Sequence, residues 1–436
     1  MPSKDSSLDS WLEYISGVHP REIDLGLDRI ARVAGRLLTA RPAKQIITVA
    51  GTNGKGSNVA AMEAVLLANN YSVAAFTSPH IHCFNERIRV NGKSVSDDVL
   101  IDGLIAIEAN RSDESLSYFE YSALLAFYIF SKADMDVALL EVGLGGRLDA
   151  VNLIDADIAV ISSIALDHQD WLGSDLDGIA AEKAGIIREG KPVVCSEENP
   201  RSTILERAEL LSSKLYIAQQ HFSLHSEVGN NAWKWQGQDQ AGEAVHCGAF
   251  TNRSLHPSNL ASALQTLALL PLELDWGGVP EVLDKLNLAG RFELCSDRKT
   301  SCPVVFDVAH NGAAANLLSA NLLALKAGPQ GYKSIAVVLA VMADKDVEEM
   351  VSALESCSDI WYIAQVDEAR SMSVTKLYDC LIRRPFFQQE NRQLECFNSV
   401  SAAYEKACNF SLERGLVLVT GSFLTVAAVR ERCDTL

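Results

Sequence analysis

Strand-length apolar runs rich in β-branched residues, alternating with longer helical stretches, constrain this chain more than any other feature. Gln45–Ala50, Val73–Thr77, Val137–Val142, Ile158–Ile164 and Pro192–Cys195 are such runs. Helical patterns such as Asn58–Asn69 and Tyr121–Lys132 lie between them. Strands apolar on both faces and separated by helices predict a parallel sheet covered on both sides. From His221 to Phe250 the pattern changes: Trp233 and Trp235 alternate with polar residues among Gly and Asn, which predicts short antiparallel strands. A helix is expected from about Ser258. The Gly-containing, mixed-charge segment Leu288–Arg298 then precedes a second series of runs: Pro303–Val308, Ser334–Val341, Asp359–Val366 and Leu416–Thr420. With 436 residues the chain exceeds one ordinary core, so two domains are expected, residues 1–290 and 291–436.

Composition removes several classes. Apolar stretches are broken by charge well before the roughly 20 residues a membrane span needs. The polar N-terminus, MPSKDSSLDS, has no apolar core of a secretory signal. Ten cysteines lie between Cys83 and Cys433 with no C-x-x-C pair, as expected for reduced cytoplasmic thiols. A net charge of -18 argues against nucleic-acid or anionic-membrane partners. Anionic ligands would therefore need a locally positive site.

One segment supplies it. Ile46–Ser57 reads IITVAGTNGKGS, a strand running into a Gly-rich turn and then into a helix expected near Asn58. Such a turn aims backbone N–H groups at a phosphate, and the helix end adds its positive dipole. Lys55 supplies a mobile cation, and Ser57 offers a hydroxyl to magnesium. The spacing departs from the ordinary phosphate-loop pattern: Val49 stands where its first Gly would fall, and Gly56 intrudes between Lys55 and Ser57. A plain solvated Gly-rich turn is the alternative.

GTNGKGS followed by FTSPHIHCFNERIRVNG resembles the Mur ligase superfamily, in its folylpolyglutamate synthase and dihydrofolate synthase branch. EVGLGGRLDAVN (Glu141–Asn152), ALDHQDWLG (Ala165–Gly173), EKAGI (Glu182–Ile186), GRF (Gly290–Phe292), DVAHN (Asp307–Asn311) and TGSF (Thr420–Phe423) extend the likeness along the chain. The resemblance implies an α/β fold: an N-terminal P-loop ATPase domain with a parallel sheet and a small antiparallel β region, then a smaller C-terminal Rossmann-like domain. It implies ATP contacts at Thr52, Asn53, Gly54, Lys55, Gly56, Ser57, Asn259, Arg291 and Asp307. Magnesium, as a pair of ions, is implied at Ser57, Ser78, Glu141 and His168, with Lys183 joining as a carbamate; K+ or another monovalent cation is a further expectation. His310 is implied near the reaction centre, so Lys55, Lys183 and His310 form the catalytic set. The bifunctional bacterial members imply a pterin site at Asp24, Leu25, Gly26, Ser117, Tyr118, Phe119, Glu120, Leu148, Asp149 and Ala150.

Taken singly, most of these residues have blander readings. Ser78 before Pro79 is an ordinary turn starter, and His168 beside Asp167 and Asp170 suits a surface loop. Lys183 in IAAEKAGII reads as a solvated helix lysine, Asn259 as a helix N-cap, and Phe119 as core packing. Glu141 is harder to dismiss, since a carboxylate ending an apolar strand is costly to bury unpaired. Two positions depart from the family pattern, Ala289 before GRF and Gly312 after AHN, where Pro is usual; looser backbone is expected at both.

The reaction implied is ATP- and magnesium-dependent addition of L-glutamate to dihydropteroate and to reduced folates through an acyl phosphate, in a cytoplasmic monomer. Addition to reduced folates alone is the alternative. A cell-wall Mur ligase would not need FNERIRVNG and the pterin segments, and a plain NTPase would not need DVAHN and TGSF. A non-catalytic nucleotide-binding module would be expected to lose Glu141, His168 or Lys183.

Overall fold

A computed structural model describes residues 1–21, 23–226, 232–252, 254–328, 331–389, 393–411 and 415–436. The chain forms two compact units, Met1–Leu286 and Asn287–Leu436. Among the described residues no helix is long and apolar enough to cross a membrane.

The first unit is built on an eight-stranded sheet. Its strands are β1 (Ala43–Ala50), β2 (Val73–Phe76), β3 (Ile88–Val90), β4 (Lys93–Ser94), β5 (Met135–Glu141), β6 (Ile158–Ile161), β7 (Val193–Cys195) and β8 (Leu215–Ile217), in the order β4-β3-β2-β5-β1-β6-β7-β8. The six strands from β2 to β8 run parallel, and β3 and β4 add an antiparallel edge. The register aligns Val49 with Glu141 and Ala50 with Ile161, so β1, β5 and β6 end together at one edge. Loops leaving the carboxyl ends of central parallel strands are where such sheets bind ligands. Phe76, Phe127, Leu140 and Ile161 belong to the core packed on this sheet.

Several element ends differ from the sequence expectation, among them two at that edge that differ by three residues. The helix expected near Asn58 spans Lys55–Ala68. Gly54, at φ 85°, turns the chain straight into it, a conformation L side chains avoid. β6 stops at Ile161 rather than Ile164, because Ser162 and Ser163 turn their hydroxyls onto the carbonyl of Asn53, at 2.7 and 3.0 Å.

A three-stranded antiparallel sheet follows, from β9 (Ser223–Ser226), β10 (Trp233–Gln238) and β11 (Ala244–Phe250). The described part of His221–Phe250 is thus antiparallel as expected; residues 227–231 of that stretch lie outside the described residues. Trp235 points inward, donates from Nε1 to the carbonyl of Ala261 at 3.1 Å on the helix Pro257–Ala268, and stacks on Trp276 with centroids 5.3 Å apart.

The second unit holds a seven-stranded sheet of β12 (Glu293–Asp297), β13 (Pro303–Phe306), β14 (Ser334–Leu339), β15 (Ile360–Ile363), β16 (Gln393–Cys396), β17 (Gly415–Thr420) and β18 (Cys433–Thr435). Its order is β16-β15-β14-β17-β13-β12-β18, parallel from β16 to β13 and antiparallel at β12 and β18. Val305, Val337, Leu339, Trp361 and Leu418 belong to its core.

Candidate active site

The phosphate loop sits between β1 and the helix Lys55–Ala68. Asn58 closes the first turn of this helix, N–H to Gly54 O at 3.0 Å, with the N–H groups of Lys55, Gly56 and Ser57 ahead of it. The loop is braced against the β6 loop: Thr52 Oγ1 donates to Ala165 O and accepts from Ala165 N, both at 3.0 Å. Asn53 N donates to Ser163 Oγ at 2.9 Å. Lys55 folds its ammonium back onto the carbonyls of Gly51 and Thr52, at 3.0 and 3.3 Å.

Asn259 lies directly over this loop. A Cβ on Gly54 would fall 2.2 Å from Asn259 Oδ1, so only glycine allows the approach. Asn58 bridges the two, donating from Nδ2 to Gly54 O at 3.0 Å and to Asn259 Oδ1 at 3.4 Å, and Ser262 Oγ donates to Asn58 Oδ1 at 2.7 Å. Asn259 is not the helix N-cap that its position suggested. His256 is, accepting the N–H of Ser258 through Nδ1, with Pro257 in the first turn.

Glu141 ends β5 and is 4% exposed. Its Oε2 accepts the N–H of Ser78 at 3.1 Å, and a Cβ on Gly56 would lie 3.4 Å from the same oxygen. The structure thus brings together Ser78, Glu141 and the first turn that carries Ser57. His168 stands exposed in the β6 loop, at φ 50°, with its N–H held by Asp167 Oδ1 at 2.8 Å.

Lys183 corrects its reading as a solvated lysine: it is 3% exposed. Gly146 packs so close that a Cβ there would lie 3.0 Å from Lys183 Cα. Burial above all, with the nearby charge of Lys55, pulls its pKa down from 10.5 to about 7, against the opposing pull of Asp167 and Asp149.

The pterin segments divide in two. Ser117 and Glu120 are buried and spent on a capping box: Glu120 Oε2 accepts Ser117 N at 2.7 Å, and Ser117 Oγ accepts Glu120 N at 3.3 Å. Glu120 also accepts from Arg29, 3.2 Å away, which pairs in turn with Asp24. Asp24, Leu25, Gly26, Tyr118, Phe119 and Leu148 remain half-buried, whereas Ala150 is buried. Phe119 lies on Gly143, where a Cβ would meet its ring at 2.5 Å, and near Phe76 at 5.8 Å. Asp149 is 2% exposed, and its oxygens accept the N–H groups of Leu144 and Val151, each at 2.9 Å. Burial pushes its pKa up to about 6. A pterin donor would be a third partner for a carboxylate that already fastens the Gly-rich loop.

In the second unit Asp307 accepts the N–H groups of Phe292 and Ala309, each at 2.8 Å, and burial raises its pKa against the charge of Arg291. Arg291 lies over the Phe423 ring at 5.3 Å. His310 Nδ1 donates to Val308 O at 2.9 Å, which fixes the ring in the turn after β13. GRF, DVAHN and TGSF thus meet at one place. Gly312 is buried, and the Glu349 side chain occupies the space where a Cβ would stand, 2.0 Å from Cδ.

Residues 290–423 match the family model described as Mur ligase, glutamate ligase domain. Dihydrofolate synthase/folylpolyglutamate synthase of Escherichia coli strain K12 is 38% identical, over 99% of this chain and 97% of that one. The chain belongs to the dihydrofolate synthase/folylpolyglutamate synthase family. Solved relatives share the whole architecture. Escherichia coli FolC in complex with DHPP and ADP is 36% identical, with a TM-score of 0.90 over 99% of this chain and 98% of that one. The bifunctional enzyme of Yersinia pestis, complexed with AMPPNP and a Mn ion, is also 36% identical, with a TM-score of 0.88 over 99% of both chains. As a family member the chain is an ATP-dependent ligase of the Mur type.

The residues present fit a divalent cation shared with nucleotide phosphates. Among the described residues no group of three His, Cys, Asp or Glu side chains is arranged to hold a metal. Magnesium needs none, since it takes one or two carboxylates and fills its remaining positions with water and phosphate oxygens. Glu141, buried against a Gly56 that leaves space at the helix N-terminus, is such a carboxylate.

Proposed function

We propose that this ligase uses ATP to join L-glutamate to dihydropteroate and to reduced folates. The observation that carries the reading is Glu141, a buried carboxylate at the end of β5 against the first turn of the phosphate-loop helix. Nucleotide phosphates rest on the N–H groups of that turn, with Lys55 swinging from its loop carbonyls to the outer phosphates. Asn259 fixes the nucleotide from above the loop, and Arg291 and Asp307 are further ATP-binding residues. Ser57, Ser78, Glu141 and His168 hold magnesium, as a pair of ions, with a monovalent cation such as K+ as a further ligand of the site. Bound magnesium neutralises phosphate charge and polarises the γ-phosphate for transfer.

A carboxylate is a poor electrophile. The acid substrate attacks the γ-phosphate of ATP, ADP leaves, and an acyl phosphate forms; phosphoryl transfer of this kind needs mainly positioning and charge neutralisation. The glutamate amine then attacks the acyl carbon and phosphate departs. His310 is the residue that orients or deprotonates that amine. Lys183 serves as a carbamate: an amine with a pKa near 7 has a substantial neutral fraction at neutral pH, and the neutral form is what adds CO2. Carbamylation exchanges a buried cation for a carboxylate beside Lys55. Phe119 stacks on the pterin, with Tyr118, Asp24–Gly26 and Leu148–Ala150 around it.

ATP-dependent incorporation of labelled glutamate, compared between dihydropteroate and tetrahydrofolate, tests the reading. Incorporation into both acids is expected. Incorporation into tetrahydrofolate alone reduces the enzyme to a folylpolyglutamate synthase, and none into either acid refutes the assignment.

A further inference from the structure

Arg87, in the turn Phe84–Arg87 before β3, carries a charge that the protein does not pair. It is 9% exposed. Its Nε donates to His80 Nδ1 at 2.9 Å, and its guanidinium sits 5.7 Å from the Phe84 centroid and 5.6 Å from that of Tyr118. Arginine Nε always carries a hydrogen, so His80 Nδ1 must be the unprotonated nitrogen, and the contact adds no second charge. The carboxylates within electrostatic reach, Glu141 and Glu86, are engaged elsewhere. Glu86 accepts the N–H groups of Ile81, His82 and Cys83 at 2.7 to 3.0 Å, and Glu141 accepts that of Ser78.

Among the described residues neither terminal nitrogen of Arg87 has a hydrogen-bond acceptor. Neighbouring arginines of the same unit differ. Arg89 reaches Glu63 at 2.7 Å and Thr77 at 3.0 Å, and Arg29 reaches Glu120 at 3.2 Å. The guanidinium is largely buried, yet its terminal nitrogens are not sealed from solvent, so the fork is open to an incoming anion that would pair a charge costly to leave unpaired. The rings on its flanks fix the plane of the fork, and two terminal nitrogens match two coplanar oxygens.

We infer that Arg87 is the anchor for the carboxylate of the acid substrate, gripping it between Tyr118 and Glu141. The inference rests on the ligase reading above and names the residue that presents the nucleophile. Tyr118 adjoins Phe119, the ring proposed to stack on the pterin, and Glu141 adjoins the phosphate loop. A substrate with its ring at Phe119 therefore brings its acid past Arg87 on the way to the γ-phosphate. His80 is a positioning residue for Arg87.

Calorimetric titration of dihydropteroate and its carboxamide, without nucleotide, isolates this contact. Wild type should bind the acid more tightly, by roughly ten- to hundredfold for a charge-assisted pair. Arg87→Gln should abolish that preference with ADP affinity unchanged, raising KM for the acid and not for ATP. Arg87→Lys keeps the charge without the fork, so it should keep only part of the preference; it also covers the case in which Arg87→Gln fails to fold. Full acid preference in a folded variant overturns the inference, as does a loss confined to ADP affinity, which would assign the fork to nucleotide phosphate. If wild type incorporates glutamate and these titrations fail, the anchor alone is wrong. If wild type incorporates none, the ligase reading itself fails.

Discussion

Replacing Lys183 by methionine should stabilise the protein while destroying its activity, with a gain that depends on pH in a calculable way. In the unfolded chain the ammonium has its ordinary pKa of 10.5, and in the folded chain burial and Lys55 bring it to about 7. A folded-state pKa lowered for a base means that folding expels a proton. The cost is complete below pH 7, where the buried amine must be charged, and declines as pH rises from 7 to 10.5. At about 1.4 kcal/mol per pKa unit, the plateau below pH 7 is on the order of 5 kcal/mol, and at pH 8 about 3 kcal/mol remains. Methionine has similar bulk and no charge, so the variant should unfold at higher temperature, by roughly 2–4 °C for each kcal/mol recovered. Calorimetric melts of both proteins in CO2-depleted buffer from pH 6 to 10 provide the measurement. The gap in melting temperature should be widest near pH 6 and close toward pH 10. Added bicarbonate should shift the wild-type melt and leave that of Lys183→Met in place. A gap that stays constant with pH would show that Lys183 is an ordinary cation in the fold, and would remove the chemical basis for its carbamylation.

Four further outcomes are expected. Lys55→Ala should abolish ATP turnover while moving stability by no more than about 0.5 kcal/mol, since the ammonium rests on loop carbonyls rather than in the core; ADP release assays and melts check both halves. Glu141→Gln should raise the magnesium concentration needed for half-maximal rate, and an unchanged magnesium titration would count against the ligand role. Asp149→Asn should lower kcat/KM for dihydropteroate and tetrahydrofolate alike, because the carboxylate at the edge of the pterin site also fastens the loop to Leu144 and Val151; a loss confined to dihydropteroate would show that this fastening does not matter to the reaction. Glu293→Gln, which breaks a buried pair with Arg430 at 2.8 Å and the bond to Gly290 N at 3.0 Å, should destabilise the second unit by about 3–5 kcal/mol in denaturant unfolding.

Strand positions were legible because burial on both faces leaves a continuous apolar run; β1, β5 and β17 each carry one. Element ends were less legible, because side-chain bonds decide them. The start of the Tyr118 helix was written in the sequence as Ser-x-x-Glu, a cap signal that the apolar period alone overlooks. Lys183 was misread because helical spacing says which residues share a face, not what lies against it. Gly146 is distant in sequence and removes the bulk that would have held Lys183 out. Asn259 likewise owes its place to Gly54 and Asn58, about two hundred residues earlier. Arg87 lies in FNERIRVNG with nothing in that segment to single it out, because whether a charge is paired depends on side chains that the fold alone brings beside it.

The stacked indoles of Trp235 and Trp276 give the molecule a built-in optical reporter. Their planes lie 9° from parallel at 5.3 Å, close enough for their ultraviolet transitions to couple into a paired positive and negative band in circular dichroism. Trp235 is also tied to Ala261, two residues along the helix from Asn259. The strength of that couplet therefore follows the seating of the helix beside the phosphate loop, and nucleotide binding can be watched there without attaching a dye.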